Sequence, residues 1–426
     1  MNQNYKKISY QRGAASLLIA TILLIGVTLV VLSTTKTVLM ETKIAADNYR
    51  TVQAVAAAQA GMDRAVSYFM EGGFDHDGDG SVDYANTIAL PAFSFTLPET
   101  PVAGAQTTFA QFYFDNTAGN RCDTGADGSD MTKGTIFVQG QSDDNLAVRN
   151  ISQCVGTLDI FNGGDSPKQP FVSKAGVGVF GNATVINRYS NISIWSGGPD
   201  AVHGAAFGTY LRPSGTETGD YTTEQLDSSC EVTPCNVANN PGPNAQLVSN
   251  KKSGTGIDII TDDLTLAVKT TSTTNYTDPA QNEFFDMFFA QTKADIKEVA
   301  ERSGRVFASG ESIDGESGLI WVDGNINIST GNIIGTDTTP AILIIDGNLD
   351  KLNGGLIKGI IYVTGTVAIG GNPTVKGSII AENPVTSTGN GTLTLVFKPW
   401  GDSDNSPMPF ILGTGAIIPG SWKDWP

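Results

Sequence analysis

The sequence predicts an α+β protein: a long N-terminal helix, transmembrane and then amphipathic, followed by a large β-rich head of stacked β-helix-like strands with an inserted helix. Three observations carry that prediction. Nineteen residues without a charge, Ala14 to Leu32, run directly into an Ala/Gln-rich stretch without proline. The remainder is rich in glycine and poor in charge, with 49 Gly and 16% charged residues, a composition suited to short strands and tight turns. The C-terminal third repeats one strand-and-turn pattern.

The helix comes first. A short basic head holds Lys6, Lys7 and Arg12 and no acid, and Gly13 ends it. Ala14 to Leu32 as a helix is about 28 Å long, enough to cross a bilayer core. The cations belong on the cytoplasmic side, so the chain after Leu32 faces the periplasm or the exterior. The following STTKTVLMETK has no A-x-A site for an ordinary signal peptidase. Residues 41–70 contain one glycine, Gly61, and Val52, Val55, Ala56, Gln59, Met62, Val66 and Phe69 fall at spacings of three and four. That spacing predicts one apolar face on a helix continuous with the apolar span.

A basic leader, a glycine at its end and one long helix, half apolar and half amphipathic, resemble the type IV pilin class. QRGAASLLIA followed by the Ala/Gln-rich helix is most similar to the PilX-type minor pilins, over roughly residues 8–70. The resemblance implies a prepilin peptidase that cuts between Gly13 and Ala14. It implies partners as well: other pilin subunits and the pilus assembly machinery. The chain would cross the inner membrane once, with a periplasmic head, before joining an extracellular pilus. Most pilins carry a glutamate five residues after the cut, where it pairs with a neighbour's terminal amine. Here that position is Leu18, which fits a subunit at a filament's tip or start. The alternatives are a membrane-anchored periplasmic binding protein and an anchored polysaccharide-active enzyme.

The division expected is a leader (1–13), the helix (14–71, with 14–32 in the membrane), a calcium loop (72–90), a first β-rich region (91–170), a β-helix-like head (171–400, with an excursion over 199–310) and a C-terminal tail (401–426). About 350 residues beyond the helix are ample for a sizeable core. The formal charge is −17, and loss of a leader with three cations takes it to about −20. That sign argues against nucleic acid as a partner.

Directly after the helix, GGFDHDGDGSVDYAN has the alternating acids of an EF-hand-like loop. Asp75, Asp77 and Asp79 alternate, Gly80 permits a sharp bend, and Asp83 stands at the ninth position. Ser81 would offer its backbone carbonyl and Val82 would point inward. Hard, numerous oxygen donors favour Ca2+. Asn86 replaces the usual bidentate glutamate at the twelfth position, and an acidic surface turn is the other reading.

Four cysteines, Cys122, Cys154, Cys230 and Cys235, in an exported chain predict two disulfides. Three pairings are possible, nearest-neighbour pairing being favoured. A zinc site is the weaker option, since there is no C-x-x-C and neither His76 nor His203 lies near a cysteine in sequence.

The repeat reads LIWVDGNINI (319–328), ILIIDGNLDK (342–351) and IIYVTGTVAI (360–369), with Gly324, Gly347 and Gly365 in register. TVKGSIIAEN (374–383) and TLTLVF (392–397) continue it. A separate weak copy, VGVFGNATVI (177–186), lies upstream with NISIWSGG (191–198) after it. Spacing near twenty residues predicts stacked coils, with a β-sandwich as the alternative. Within the excursion, Asp278-Pro279 predicts the start of a helix over EFFDMFFAQTKADIKEVAE (283–301). Its band of Phe284, Phe285, Phe288 and Phe289 is read as a packing face, with a partner groove as the alternative. No nucleophile elbow, H-E-x-x-H or P-loop occurs, and no enzymatic activity is expected.

Overall fold

The computed structural model describes residues 11–76, 82–85, 93–97, 108–115, 122, 133–158, 160–161, 167–178, 182–198, 207–229, 245–250, 256–263, 265–266, 284–387, 391–400, 411 and 414–425. It has a long N-terminal helix followed by a β-rich head, in three sheets.

The helix Gln11–Gly72 is unbroken for 62 residues, about 93 Å. Its first two-thirds stand clear of the head, and its last third lies across an antiparallel sheet. That sheet is built from β1 (Phe93–Leu97), β2 (Thr108–Asp115), β3 (Lys133–Gln141) and β4 (Val148–Thr157). The buried helix positions are Ala54, Ala57, Ala58, Gly61, Met62, Ala65 and Phe69. This face is rotated from the expected one: Val52, Ala56 and Gln59 are exposed. Small residues define the contact, because the sheet meets the helix backbone at Gly140. A Cβ there would sit 2.2 Å from the Ala58 nitrogen and 2.3 Å from the Ala54 oxygen. Met62, Ala65 and Phe69 then close a core with Phe74, Val82, Phe112, Phe114, Ile136, Val138, Ile151 and Val155.

The remaining strands in order are β5 (Phe171–Ser173), β6 (Val177–Gly178), β7 (Thr184–Asn187), β8 (Ile194–Ser196), β9 (Gly208–Leu211), β10 (Gln246–Asn250), β11 (Ile259–Ile260), β12 (Val306–Ala308), β13 (Gly318–Asp323), β14 (Ile326–Ile328), β15 (Ile333–Ile334), β16 (Ala341–Asp346), β17 (Leu349–Leu352), β18 (Leu356–Val363), β19 (Val367–Ile369), β20 (Thr374–Ala381), β21 (Val385–Ser387), β22 (Thr394–Val396), β23 (Gly415–Ile417) and β24 (Lys423–Trp425). From β13 to β21 the chain winds between two parallel sheets. One contains β13, β16, β18 and β20 side by side, and the other contains β14, β17, β19 and β21. Ile320, Val322, Leu343, Ile345, Ile361, Val363, Ile326, Leu349, Val367 and Ile369 fill the space between them.

The repeated glycines form one column of this stack. A Cβ on Gly347 would lie 2.4 Å from the carbonyl carbon of Gly324, and one on Gly365 would lie 2.5 Å from the Gly347 oxygen. Beside them the Asn348 N–H donates to Asn325 Oδ1 at 3.0 Å, and the Thr366 N–H donates to Asn348 Oδ1 at 2.8 Å. Each D-G-N or T-G-T turn thus fixes the next coil by both close approach and a side-chain rung.

The upstream copy joins the same stack. Its strands β6 and β7, and β5 just before them, pair in parallel with β21, β22 and β20, so these strands lie against the last coil rather than the first. Parts of the expected excursion are also strands of the large sheet, namely β9, β10, β11 and β12. Runs such as LIWV and ILII are apolar at every position because this sheet is buried on both faces. Its outer face carries a row of register partners, Trp321, Ile344, Tyr362, Ile380, Val172 and Trp195. Phe284, Phe285, Phe288 and Phe289 cover the row together with Ile296, Val299 and Ala300. The four phenylalanines are at most 7% exposed, so this band is a packing face and not a partner groove.

The expected helix is interrupted: residues 284–286 are helical, residues 287–292 are not, and a second helix follows. It runs Lys293–Arg302, and its N-cap is Thr292, whose side chain accepts from the Asp295 N–H. The phenylalanines precede it because Phe289 forms a backbone bridge to Phe161 and the Ala290 N–H donates to the Ile160 oxygen at 2.9 Å. Asp278 and Pro279 lie outside the described residues.

The expected tail is not a tail. Residues 415–425 return to the first sheet, where β23 and β24 both pair antiparallel with β4. The coiled head is therefore an insertion between β4 and β23.

Candidate functional site

The exposed helix and the joint where it meets the head carry the features that bear on function. Leu17, Leu18, Ile22, Leu23, Leu24, Leu29 and Leu32 are all 60% or more exposed. An apolar surface of that extent needs lipid or protein around it. The helix is long and apolar enough to cross a membrane. Several of its threonine hydroxyls are satisfied within it. Thr21 donates to the Leu17 oxygen at 2.8 Å, Thr28 to Leu24 at 2.9 Å and Thr34 to Val30 at 3.0 Å. In an apolar surrounding, an unpaired hydroxyl would cost about 1–3 kcal/mol, and these bonds remove that cost. Gly13 and Ala14 lie in the first turn of the helix, which begins at Gln11. Leu18 is 64% exposed.

Beyond the apolar span the helix stays partly apolar, with Val38, Leu39, Met40, Ile44, Tyr49 and Val52 exposed. Arg50 marks where the head begins. Its Nε meets Asp144 Oδ2 at 2.5 Å and its Nη1 meets Asp47 Oδ1 at 3.1 Å. Asp144 sits at the tip of the β3–β4 hairpin, where Ser142 Oγ and the Leu146 N–H also donate to it. Those donors, Ser142 first and then Arg50, hold the Asp144 carboxyl below its ordinary range. Sequence reading missed this pair, since Arg50 and Asp144 are 94 residues apart and neither lies in a motif.

At the helix's other end, the acidic loop closes at its neck. The Asp83 N–H donates to the Phe74 oxygen at 2.6 Å, and Val82 is buried in the first core, as its inward placement requires. Asp83 Oδ2 accepts from the Tyr68 hydroxyl at 2.9 Å and from the His76 N–H at 2.7 Å. The His76 ring stacks on Tyr68, with centroids 3.8 Å apart, and its Nε2 lies 2.7 Å from the Tyr68 oxygen. Nε2 must carry the proton there, because a carbonyl can only accept. Burial, and then the Asp83 carboxylate, push the Tyr68 hydroxyl pKa upward. Asp75 and Asp83 thus flank the neck, while Asp77, Asp79 and Ser81 lie outside the described residues. Among the described residues no three acids, histidines or cysteines gather as a metal site.

Cys122 and Cys154 form a disulfide with Cα atoms 5.5 Å apart. It ties the segment before β3 to β4, and Thr135 Oγ1 lies 2.8 Å from Cys122 Sγ. Cys230, Cys235 and His203 lie outside the described residues.

Among the described residues, two charged pairs are buried in the head. Lys293 Nζ meets Glu382 Oε1 at 2.6 Å with side chains 8% and 14% exposed, and the Tyr362 hydroxyl donates to the same oxygen at 2.7 Å. Lys398 Nζ meets Asp227 Oδ2 at 2.9 Å, beside the Tyr189 hydroxyl and over the Trp400 ring. Both join distant parts of the chain and fasten the covering segments to the coils.

No protein-family model and no curated protein matches this chain. Among solved structures, the competence-associated pilin ComZ from Thermus thermophilus is similar at 12% identity and a TM-score of 0.25, over 88% of this chain and 98% of that one. A superposition that loose carries no functional weight.

Proposed function

We propose that this chain is a minor pilin of the PilX type, built into a type IV pilus or a related pseudopilus at or near its tip. One observation carries the reading: an unbroken helix of 62 residues is apolar and exposed along its first part and forms a wall of the head's first core along its last. Such a rod is held by lipid before assembly and by like helices afterwards, with the same apolar surface covered in both settings. In this reading a prepilin peptidase cuts between Gly13 and Ala14, and the head faces the periplasm before export.

Two further features support a tip or priming position. Leu18 offers no carboxylate to a neighbour's terminal amine. The inserted coils make the head too bulky for repeated packing along a shaft, and their outer surface is available for adhesion. The acidic loop is proposed to bind Ca2+ through Asp75, Asp77, Asp79, the Ser81 carbonyl and Asp83, stiffening the junction of rod and head.

The decisive experiment is N-terminal sequencing of the mature chain together with its detection in sheared surface filaments. The expected result is a start at Ala14 and traces of the chain in the filament fraction. A retained leader, with the chain confined to the inner membrane, indicates an anchored periplasmic protein instead.

A further inference from the structure

The coiled head joins the helix-bearing sheet at two covalent points, and these are neighbours. Leu158 leaves β4, Thr414 leads into β23, and the Leu158 N–H donates to the Thr414 oxygen at 3.0 Å. Cys154 lies in β4, four residues before Leu158, and its disulfide partner Cys122 precedes β3. A pull between helix and head therefore has a covalent route that skips residues 123–153. It runs from the helix through β1 and β2 to Cys122, across the sulfurs to Cys154, and out at Leu158.

The second attachment is fastened to β4 around the same cysteine. Ser421 Oγ accepts from the Cys154 N–H at 3.0 Å and from Gln153 Nε2 at 2.6 Å. Arg149 forms an ion pair with Asp424, its Nη2 donating to Oδ2 at 2.8 Å, a few residues further along the pair. The backbone ladder between β4 and the two returning strands adds to these contacts.

We infer that this joint is a force-bearing clamp, in which the Cys122–Cys154 disulfide keeps the β3–β4 hairpin out of the load path when the head is pulled away from the helix. The inference rests on the filament reading above, because a subunit held by its helix and loaded through its head meets such a pull. The hairpin is what needs protecting: β3 carries Gly140, the residue that seats the helix, and the hairpin tip carries Asp144, the partner of Arg50.

Single-molecule pulling on the full chain in detergent tests it, with one handle on the helix before Ser33 and the other at Lys351 in the head. Each tethered molecule is pulled oxidised and again after dithiothreitol, so a reduced protein that folds poorly does not confound the comparison. In the oxidised state the yielding joint should release about 110 Å less chain, since the 32 peptide steps between the cysteines stay closed. It should also yield at higher force. In a second geometry the outer handle is moved to Leu146, inside the bypassed hairpin. There reduction should leave the yield force unchanged.

A fall in yield force of equal size in both geometries overturns the clamp and leaves a general stabilising bond. No fall with the Lys351 handle overturns it as well. The measurement needs no filament. A chain that shows the bypass but never enters filaments removes the filament reading alone, and the reverse outcome removes the clamp alone.

Discussion

The backbone nitrogen of Leu158 and the backbone oxygen of Thr414 are hydrogen-bonded at 3.0 Å although 256 residues separate them in sequence. The chain leaves the first sheet and re-enters it at the same place, which is the geometry of a domain inserted into another. The first sheet keeps its own core, with the helix face, β2, β3 and β4 all represented. Replacing residues 159–413 by a short Gly/Ser linker should therefore leave the helix and first sheet folded. A single cooperative melt of the shortened chain in detergent is the expected result, and its circular dichroism should gain in helical fraction.

Among the described glycines of that sheet, Gly140 makes the tightest approach to its surroundings. A methyl group there meets the backbone of Ala54 and Ala58, which cannot swing aside as a side-chain tip can. Gly140→Ala should destabilise the first domain by about 1–3 kcal/mol, the usual cost of overpacking, and Gly140→Val by more. Chemical denaturation followed by circular dichroism reads the loss. The coiled head should be affected far less, since its core lies apart.

The same contact shows what the sequence could and could not reveal. The long helix was legible because an uncharged run and a proline-free run meet without a break. Its buried face was not, because apolar size is a poor guide where Ala54, Ala58 and Gly61 are chosen to let a strand come close. The stack was legible from Gly324, Gly347 and Gly365, since each of those glycines answers to the one before it. The place of the upstream copy beside β21 and β22 was not, since register between strands 200 residues apart leaves no periodic trace. The insertion is invisible for the same reason: nothing in LDIF or in GTGA marks Leu158 and Thr414 as neighbours. The acidic loop was legible as a pattern, whereas its neck contacts through Tyr68 and His76 depend on the helix end folding back.

The Lys293–Glu382 pair fastens the phenylalanine cover to the coils. Removing one partner leaves the other buried and charged, which typically costs about 3–5 kcal/mol. Lys293→Met should lower the urea midpoint accordingly, because Glu382 keeps the Tyr362 hydroxyl as its remaining described partner. Adding Glu382→Gln should recover much of the loss, because the uncompensated charge is gone. A double-mutant cycle on the unfolding free energy measures that coupling.

Asp323 gives the head a defined acid response. Burial alone would raise its pKa, but hydrogen bonds from Lys297 and from the Trp321 indole outweigh that and lower it below the ordinary 3.8. A group with a lowered folded pKa adds stability above its unfolded value and loses it as the pH falls through the folded one. The contribution is thus complete at neutral pH and fades below about pH 4. Trp321 reports it directly, since its indole N–H donates to the titrating carboxylate at 2.8 Å. Its emission should shift on acidification below that value, and Lys297→Met should move the shift to higher pH. An unchanged midpoint in the variant would remove Lys297 as the cause.

The acidic loop makes the last prediction. Asp83 Oδ2 accepts from the Tyr68 hydroxyl and the His76 N–H, and these protein contacts close the neck. What a cation would add is relief of repulsion among Asp75, Asp77, Asp79 and Asp83, four carboxylates within nine residues. Calcium should therefore bind with measurable heat in a calorimeter and raise the melting temperature of the first domain, while EGTA lowers it. Asp77→Asn and Asp79→Asn should abolish the calcium-dependent part of the stability and leave the calcium-free protein as stable as before, or slightly more so, because each removes one repelling charge. Asp83→Asn should behave differently. It weakens the acceptor for Tyr68 and His76, so it should destabilise the chain with or without calcium. If all three substitutions act alike, and EGTA changes nothing, the loop is an acidic turn held by its neck.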